Sequence, residues 1–367
     1  MKKKLGIVFG GRSGEHEVSL VSASAVVKAV DREKYDVVEI GITLEGKWYV
    51  GEGCLAKFKK SDLSGLRECF ISMDTEKASL VVDDGSVLKL DIFFPVLHGP
   101  FGEDGTIQGL FEMMNAAYVG CGVLASSTAM DKLQFKAIME AAGVRVSPYV
   151  GLNRKAWEEK SDEILKDVKE KIGYPCFVKP ANMGSSVGVS KVKDESGLRD
   201  AINLAAKFDR RVLVEKAVNA REIECSVIGN DEVRTGELGE IFVGGEFYDF
   251  HDKYVNGVST TQTPADFEGG VSDEIKGVAM KAYKLLDCAG FSRVDFLVDK
   301  KTGEVYVNEI NTIPGFTEIS MFPKMMMATG MKFEELVDEL IDLGFERFED
   351  KQKNQVKFDS GSDWFRE

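Results

Sequence analysis

Residues 307–316 read VNEINTIPGF. The run starts as a buried strand should, yet it sets Glu309 and Asn311 where alternation from Val307 calls for apolar side chains. Just upstream, RVDFLVD at 293–299 leads into the turn residues DKKTGE. A hairpin centred on that turn brings Asp295 opposite Glu309 and Arg293 opposite Asn311. Alternation then keeps 293 and 295 on one face and 309 and 311 on the matching one. Two carboxylates opposed in a sheet repel unless a cation or proton stands between them. A hard divalent ion with oxygen ligands, usually Mg²⁺ shared with nucleotide phosphates, resolves the conflict. A solvated face carrying an Arg-Asp-Glu network is the bland alternative. The Asn two residues from the Glu, followed by TIPG, favours metal.

Three lysines extend the argument outward. KPANMGSSVG at 179–188 joins two strand-like runs by a Gly/Ser turn, whose backbone N–H groups can surround phosphate oxygens while Lys179 supplies a cation. On its own this is an ordinary hairpin turn more often than a phosphate cradle. Lys132, in the first turn of a helix, and Lys253, in a long polar loop, would singly be solvated surface residues. Together with two facing acids, cations spread over three segments suggest a clamp around a triphosphate.

The wider pattern is one of three units. Strand-like runs at 5–10, 35–43, 90–99 and 116–122 alternate with helical ones, among them 19–30, and imply an α/β unit with a Rossmann-like parallel sheet over 1–122. Its loop GGRSGEHEVS lacks G-x-G-x-x-G spacing, so glycines alone indicate a tight turn; Glu15, His16 and Glu17 at a helix start remain unexplained by that. A central α+β unit spans 123–212, opening with a helix whose Met130, Leu133, Ala137, Ile138 and Ala141 recur at helical spacing and whose stop is Gly143. A third unit, 213–348, is opened by the strand RVLVEKAV, holds the polar loop 243–268, and is closed by the helix 333–348; 349–367 reads as a loose polar tail.

Composition bounds the function. The 367 residues, 44% hydrophobic and 29% charged, suffice for two or three domains with their own cores. A net charge of -14 disfavours nucleic acid, whose sequence-independent affinity comes from clustered Lys and Arg. The apolar run 5–9 is too short for a signal peptide, and none approaches the roughly 18 residues of a membrane span. The six cysteines are scattered without a C-x-x-C pair, so neither a disulfide framework nor a zinc site is expected, and a reducing cytosol fits best.

GGRSGEHEVSL, HGPFGEDGTIQG, MDKLQFK, VKPANMGSSVGVSKV, FYDFHDKY, RVDF and NEINTIPGFTEISMFP lie in order from residue 10 to beyond 320. In these stretches the chain resembles the ATP-grasp ligases, and within them the D-alanine:D-alanine ligase family. The resemblance implies a three-domain fold in which ATP lies between the central and C-terminal domains and phosphorylates one D-alanine. A second D-alanine then attacks the acyl phosphate, giving a dipeptide for peptidoglycan precursors. It further implies that Lys132, Lys179 and Lys253 contact phosphates or adenine, that Glu215, Lys216 and Val218 line the adenine, and that Glu222 meets the ribose. Asp295, Glu309 and Asn311 would hold two Mg²⁺ (or Mn²⁺). Glu15 would orient the first ammonium, linked to Ser185 and Tyr254; Arg293 and the Gly315 N–H would stabilise the oxyanion; Ser320, Met321 and His98 would receive the second D-alanine. Loop 243–268 becomes a lid that keeps water from the acyl phosphate. A cytoplasmic homodimer, bound to neither nucleic acid nor membrane, completes the expectation. Tyr254 and the apolar Met321 favour an amine over D-lactate and D-alanine over D-serine, while His251 departs from the pattern. The alternatives are a D-alanine:D-serine ligase and a non-catalytic nucleotide-binding relative.

Overall fold

The computed structural model describes residues 2–76, 78–242 and 259–358. The last six residues of β1 (Lys3–Gly10) are all buried, as a strand covered on both faces requires. α1 (His16–Ala29) returns across it to β2 (Tyr35–Ile42), which pairs parallel with β1. β3 (Trp48–Val50), α2 (Cys54–Phe58), β4 (Arg67–Ser72), β5 (Ser79–Val82) and β6 (Val87–Lys89) then extend the sheet outward by antiparallel steps. β7 (Ile92–Pro95) comes back to the far side of β1, parallel to it. The described sheet has the order β6-β5-β4-β3-β2-β1-β7. The expected parallel sheet is present in β2-β1-β7, and the strands beyond β2 add to it antiparallel, because short turns can join only antiparallel neighbours whereas a parallel step needs a crossover. The run 116–122 forms no named strand; Tyr118 makes one parallel bridge to Phe93. α3 (Thr106–Met113) and α4 (Val123–Met130) follow.

The central unit runs through α5 (Lys132–Ala141), β8 (Tyr149–Asn153), α6 (Arg154–Lys171), β9 (Cys176–Pro180), β10 (Ser190–Val192), α7 (Leu198–Phe208) and β11 (Arg211–Lys216). Its sheet has the order β10-β9-β11-β8, with α6 and α7 packed over a core containing Trp157, Val168, Ile202 and Val212. β11 pairs antiparallel with both β8 and β9. The strand expected to open the third unit thus closes the second.

The third sheet is built from β12 (Ala220–Ile228), β13 (Arg234–Phe242), β14 (Thr260–Gln262), β15 (Phe291–Asp299) and β16 (Val305–Asn311), in the order β14-β13-β12-β15-β16. α8 (Val271–Leu285) covers one face with Ile275, Ala279 and Tyr283, and α9 (Met321–Met327) leads to α10 (Phe333–Lys351). α10 was expected to close this unit. Its Leu336, Val337, Leu340 and Ile341 are buried in one cluster with Ile228, Phe322 and Met326 of that unit and with Leu5, Ile7, Ala23 and Ile92 of the first, so the helix packs against both. The helix continues to Lys351, so the start of the expected tail is helical, and Gln352 Nε2 donates to Asn115 Oδ1 at 2.8 Å. Residues 359–367 lie outside the described residues. Gly290, at φ +70°, passes so close to Gly120 that a Cβ there would stand 2.9 Å from the Gly120 Cα. Phe316 packs edge-on to Phe94 and Phe291 with ring centroids 6.0 and 5.7 Å away, which anchors the loop after β16 to the first sheet. Among the described residues, no helix is long and apolar enough to cross a membrane.

Candidate active site

The expected hairpin forms with the expected pairs: Arg293 faces Asn311 and Asp295 faces Glu309. Beyond them the register shifts, so that Phe296 pairs with Val307 and Asn308 is the extra residue of a bulge. That bulge answers the puzzle of the two polar residues. In β16 the buried positions are Val305, Val307 and then Ile310, so the inserted residue reverses the alternation and turns Glu309 and Asn311 to the open face. Arg293 closes on Asp295 through two parallel hydrogen bonds, Nε to Oδ1 at 2.7 Å and Nη2 to Oδ2 at 2.6 Å. Glu224 on β12 lies 3.2 Å from the same Nε. Burial opposes the charge on Arg293, but Asp295 and Glu224 more than offset it and hold the guanidinium firmly protonated. Asn311 Nδ2 donates to Asp295 Oδ2 at 3.0 Å. Among the described residues no three His, Cys, Asp or Glu side chains gather as a metal cage. Two carboxylates and one amide are an all-oxygen set that suits a hard cation completed by phosphate and water.

From the central unit, Lys132 reaches this face. Asp131 caps α5, accepting from the N–H groups of Leu133 and Gln134 at 3.1 and 3.0 Å, and is itself gripped by Arg211. Lys132 is thereby placed to donate to the Met183 carbonyl at 2.8 Å with its Nζ 3.7 Å from Glu309 Oε2. Lys179, at the end of β9, pairs with Glu215 on β11 at 2.5 Å. The second Glu215 oxygen meets Lys136 at 2.8 Å and accepts from Ser147 at 2.8 Å. Sequence periodicity put Leu133, Ala137 and Ile138 on the inner face of α5; the helix instead buries Phe135, Lys136 and Met139. A lysine amid that buried face was the available signal. Glu222 lies on β12, Lys216 ends β11 exposed to solvent, and Val218 is half-buried just beyond it.

The third group belongs to the first sheet's end of the cleft. Glu15 precedes α1, and the Ser185 hydroxyl donates to Glu15 Oε1. Ser185 and Ser186, at φ +46° and +59°, give the β9–β10 loop the curl that brings them there. His98 is buried; its Nδ1 lies 2.9 Å from the Ile313 carbonyl and its Nε2 2.9 Å from Ser22 Oγ. Ser22 Oγ accepts from the Phe316 N–H at 3.3 Å, so His98 and Ser22 together hold the loop carrying Gly315. Burial disfavours a charged imidazole, but Glu103, 3.6 Å from Nδ1, outweighs it and raises His98 above its ordinary 6.5. A raised histidine contributes stability that is complete below the unfolded value and lost as pH climbs through the folded one. The melting-temperature gap between the parent and Glu103→Gln should therefore be widest near about pH 6 and shrink toward about pH 9. A gap that is constant over that range, read by calorimetry, would exclude the ion pair.

Ser320 accepts from the Thr317 N–H at 3.1 Å, with its Oγ 3.2 Å from where a Gly315 Cβ would stand, so it borders the same loop. Met321, expected beside the second substrate, is the first residue of α9 and is buried with Ile241 and Met325, its methyl lying where a side chain on Gly239 would begin. α9 turns its first residue into the core because the helix docks on β13 through that face. Lys253, Tyr254 and His251, with the lid glycines, fall in 243–258, outside the described residues. Sequence reasoning did not single out Ser22, Glu103, Lys136, Ser147 or Glu224. Ser22, Lys136, Ser147 and Glu224 meet partners on other segments, which local patterns do not register, whereas Glu103 pairs with His98 only five residues away.

Models of the D-ala D-ala ligase N-terminus and C-terminus match residues 4–121 and 138–342. The chain is 46% identical over 360 residues to the D-alanine–D-alanine ligase of Heliobacterium modesticaldum, covering 97% of this chain and 98% of that protein. Among solved structures, the VanG D-Ala:D-Ser ligase of Enterococcus faecalis superposes with a TM-score of 0.85 at 37% identity, covering 94% of this chain and 100% of that one. The D-alanine–D-alanine ligase of Coxiella burnetii gives a TM-score of 0.84 at 34% identity, over 96% and 98% of the two chains. Matching both family models and near-full-length relatives, with the three-sheet ATP-grasp architecture, the chain belongs to the D-alanine–D-alanine ligase family.

Proposed function

We infer that this enzyme spends one ATP to join two D-alanines through a D-alanyl phosphate, releasing D-alanyl-D-alanine for peptidoglycan precursors. The observation that carries the reading is the meeting of Lys132 from the central unit with Glu309 of the third, 3.7 Å apart, at the edge of the Arg293-Asp295-Asn311 face. A cation from one unit and an acid from the other meet where phosphate oxygens and a metal would lie between them.

In this reading Lys132 and Lys179 receive phosphates, with Lys253 joining from the lid, while Glu215, Lys216 and Val218 border the adenine and Glu222 the ribose. Asp295, Glu309 and Asn311 would hold two Mg²⁺ (or Mn²⁺). When bound, these ions offset the negative charge that a carboxylate nucleophile meets on approaching the γ-phosphate. Glu15, steadied by Ser185 and Tyr254, takes the ammonium of the first D-alanine and aims its carboxylate inward. Arg293 and the Gly315 N–H then receive the charge that develops on the acyl oxygen when the second amine attacks. His98 and Ser320 border the second D-alanine. Of the expected lid 243–268, Thr260–Gln262 is strand β14 of the third sheet, so the part left to exclude the water that would hydrolyse the acyl phosphate is 243–258, outside the described residues. The protein works in the cytoplasm as a homodimer, a reading that rests on the family and on the scattered free cysteines.

The decisive experiment is ATP turnover with D-alanine alone and with D-alanine plus L-alanine, D-serine or D-lactate, with products identified by mass spectrometry. D-alanyl-D-alanine should dominate. ADP release indifferent to D-alanine, an ester product, or a preference for D-alanyl-D-serine, the specificity named for one structural neighbour, would each overturn the reading.

A further inference from the structure

Lys136 is the most deeply buried lysine in the described molecule, its side chain 1% exposed, on α5 one turn past Lys132. Lysines are almost never buried without a partner, because desolvating an ammonium is costly. Its partner is Glu215, 2.8 Å away, and it also donates to Ser147 at 2.9 Å. The Ser147 hydroxyl in turn donates to the same Glu215 oxygen at 2.8 Å. That oxygen is thus fully engaged from the α5 side, while the other faces Lys179. Burial by itself would favour the neutral acid; the two lysines overcome it and hold Glu215 well below the usual carboxylate range.

The two lysines are not equivalent. Lys179 stands at the strand end, at the mouth of the β9–β10 loop, and in the reading above it turns to a phosphate when ATP binds. Glu215 would then be a buried carboxylate with one counter-ion. Lys136, enclosed and tied to Ser147, has nowhere else to go. We propose that Lys136, with Ser147, is the positioning residue that keeps Glu215 ionised and acceptor-only in the nucleotide complex, and so sets the preference for a 6-aminopurine over a 6-oxopurine. A carboxylate can only accept, which matches an amino group; a neutral acid also carries an O–H that can donate to a 6-oxo group. Rejection of the wrong partner by a buried hydrogen-bonding group is the strong form of selectivity.

This inference rests on the proposed placement of adenine beside Glu215, and the test separates the two. Steady-state kinetics with ATP and with inosine triphosphate would be measured for the parent, Lys136→Met, Ser147→Ala and Glu215→Gln, together with the D-alanine KM and the melting temperature. Lys136→Met should cut the ATP/ITP ratio of kcat/KM by about tenfold or more, chiefly by raising the ATP KM, with the D-alanine KM little changed. Ser147→Ala should move the ratio the same way by about threefold. An unchanged ratio in Lys136→Met, or a loss of kcat shared equally by both nucleotides, overturns the proposal and leaves Lys136 a structural residue. If Lys136→Met does not fold, Ser147→Ala decides, an unchanged ratio again overturning it. Glu215→Gln tests the adenine reading on its own: a preserved ATP preference there overturns that placement whatever Lys136 does.

Discussion

Dipeptide formation falls by about 10³-fold or more in Glu309→Gln, while the protein keeps its melting temperature or gains a little. The kinetic loss follows from removing one of two carboxylates that the hairpin opposes. Charge stabilisation by a bound metal supplies several kcal/mol, and each 1.4 kcal/mol or so is a factor of ten in rate. The stability expectation has the opposite sign for the same reason. Asp295 and Glu309 face each other directly, so replacing one acid by an isosteric amide relieves repulsion, against the modest loss of the Lys132 pair at 3.7 Å. ADP release and thermal melting measure the two effects separately. A mutant releasing ADP at a near-normal rate would exclude Glu309 as a metal ligand.

Arg293→Lys lowers kcat by about 10² to 10³, although the formal charge is unchanged. The guanidinium makes two parallel bonds to Asp295 and still lies 3.2 Å from Glu224 on the neighbouring strand. An ammonium is a point charge and cannot span both carboxylates in one plane. The lysine cannot keep Arg293's two bonds to Asp295 and its 3.2 Å approach to Glu224, which is only 5% exposed, so the melting temperature falls as well, in contrast to Glu309→Gln. Activity within tenfold of the parent would show that charge alone suffices at this position and would remove the oxyanion role.

The hairpin was readable because turn chemistry and strand alternation are local: DKKTGE fixes where the chain reverses, and the pairing of Arg293 with Asn311 and Asp295 with Glu309 follows. Lys132, Lys179 and Glu15 were noticeable for a similar reason, standing at a helix start, a strand end and a helix start, whereas Ser185, within the β9–β10 loop, came only from the resemblance. The parallel character of the first sheet was readable only in part. The run 48–89 has strand-like residues joined by turns too short for crossovers, and it extends the sheet antiparallel. The inner face of α5 was misjudged because apolar spacing cannot register a lysine whose counter-charge lies on a distant strand.

By itself the amino-acid sequence determined the family, the order of the three units, and which acids, amide and arginine share the β15–β16 hairpin. These depend on turns, caps and periods that act within a few residues. Tertiary structure alone decided which way those residues point and what holds them. The bulge at Asn308 turns Glu309 and Asn311 out of the core, a one-residue slip that no alternating pattern encodes. Likewise, α10 buries one face against both its own unit and the first sheet, α9 sinks Met321 into the core, and Lys136 finds Glu215 on a distant strand. Each of these is set by packing between segments far apart in the chain, where burial of apolar surface and the cost of an unpaired buried charge outweigh local preference.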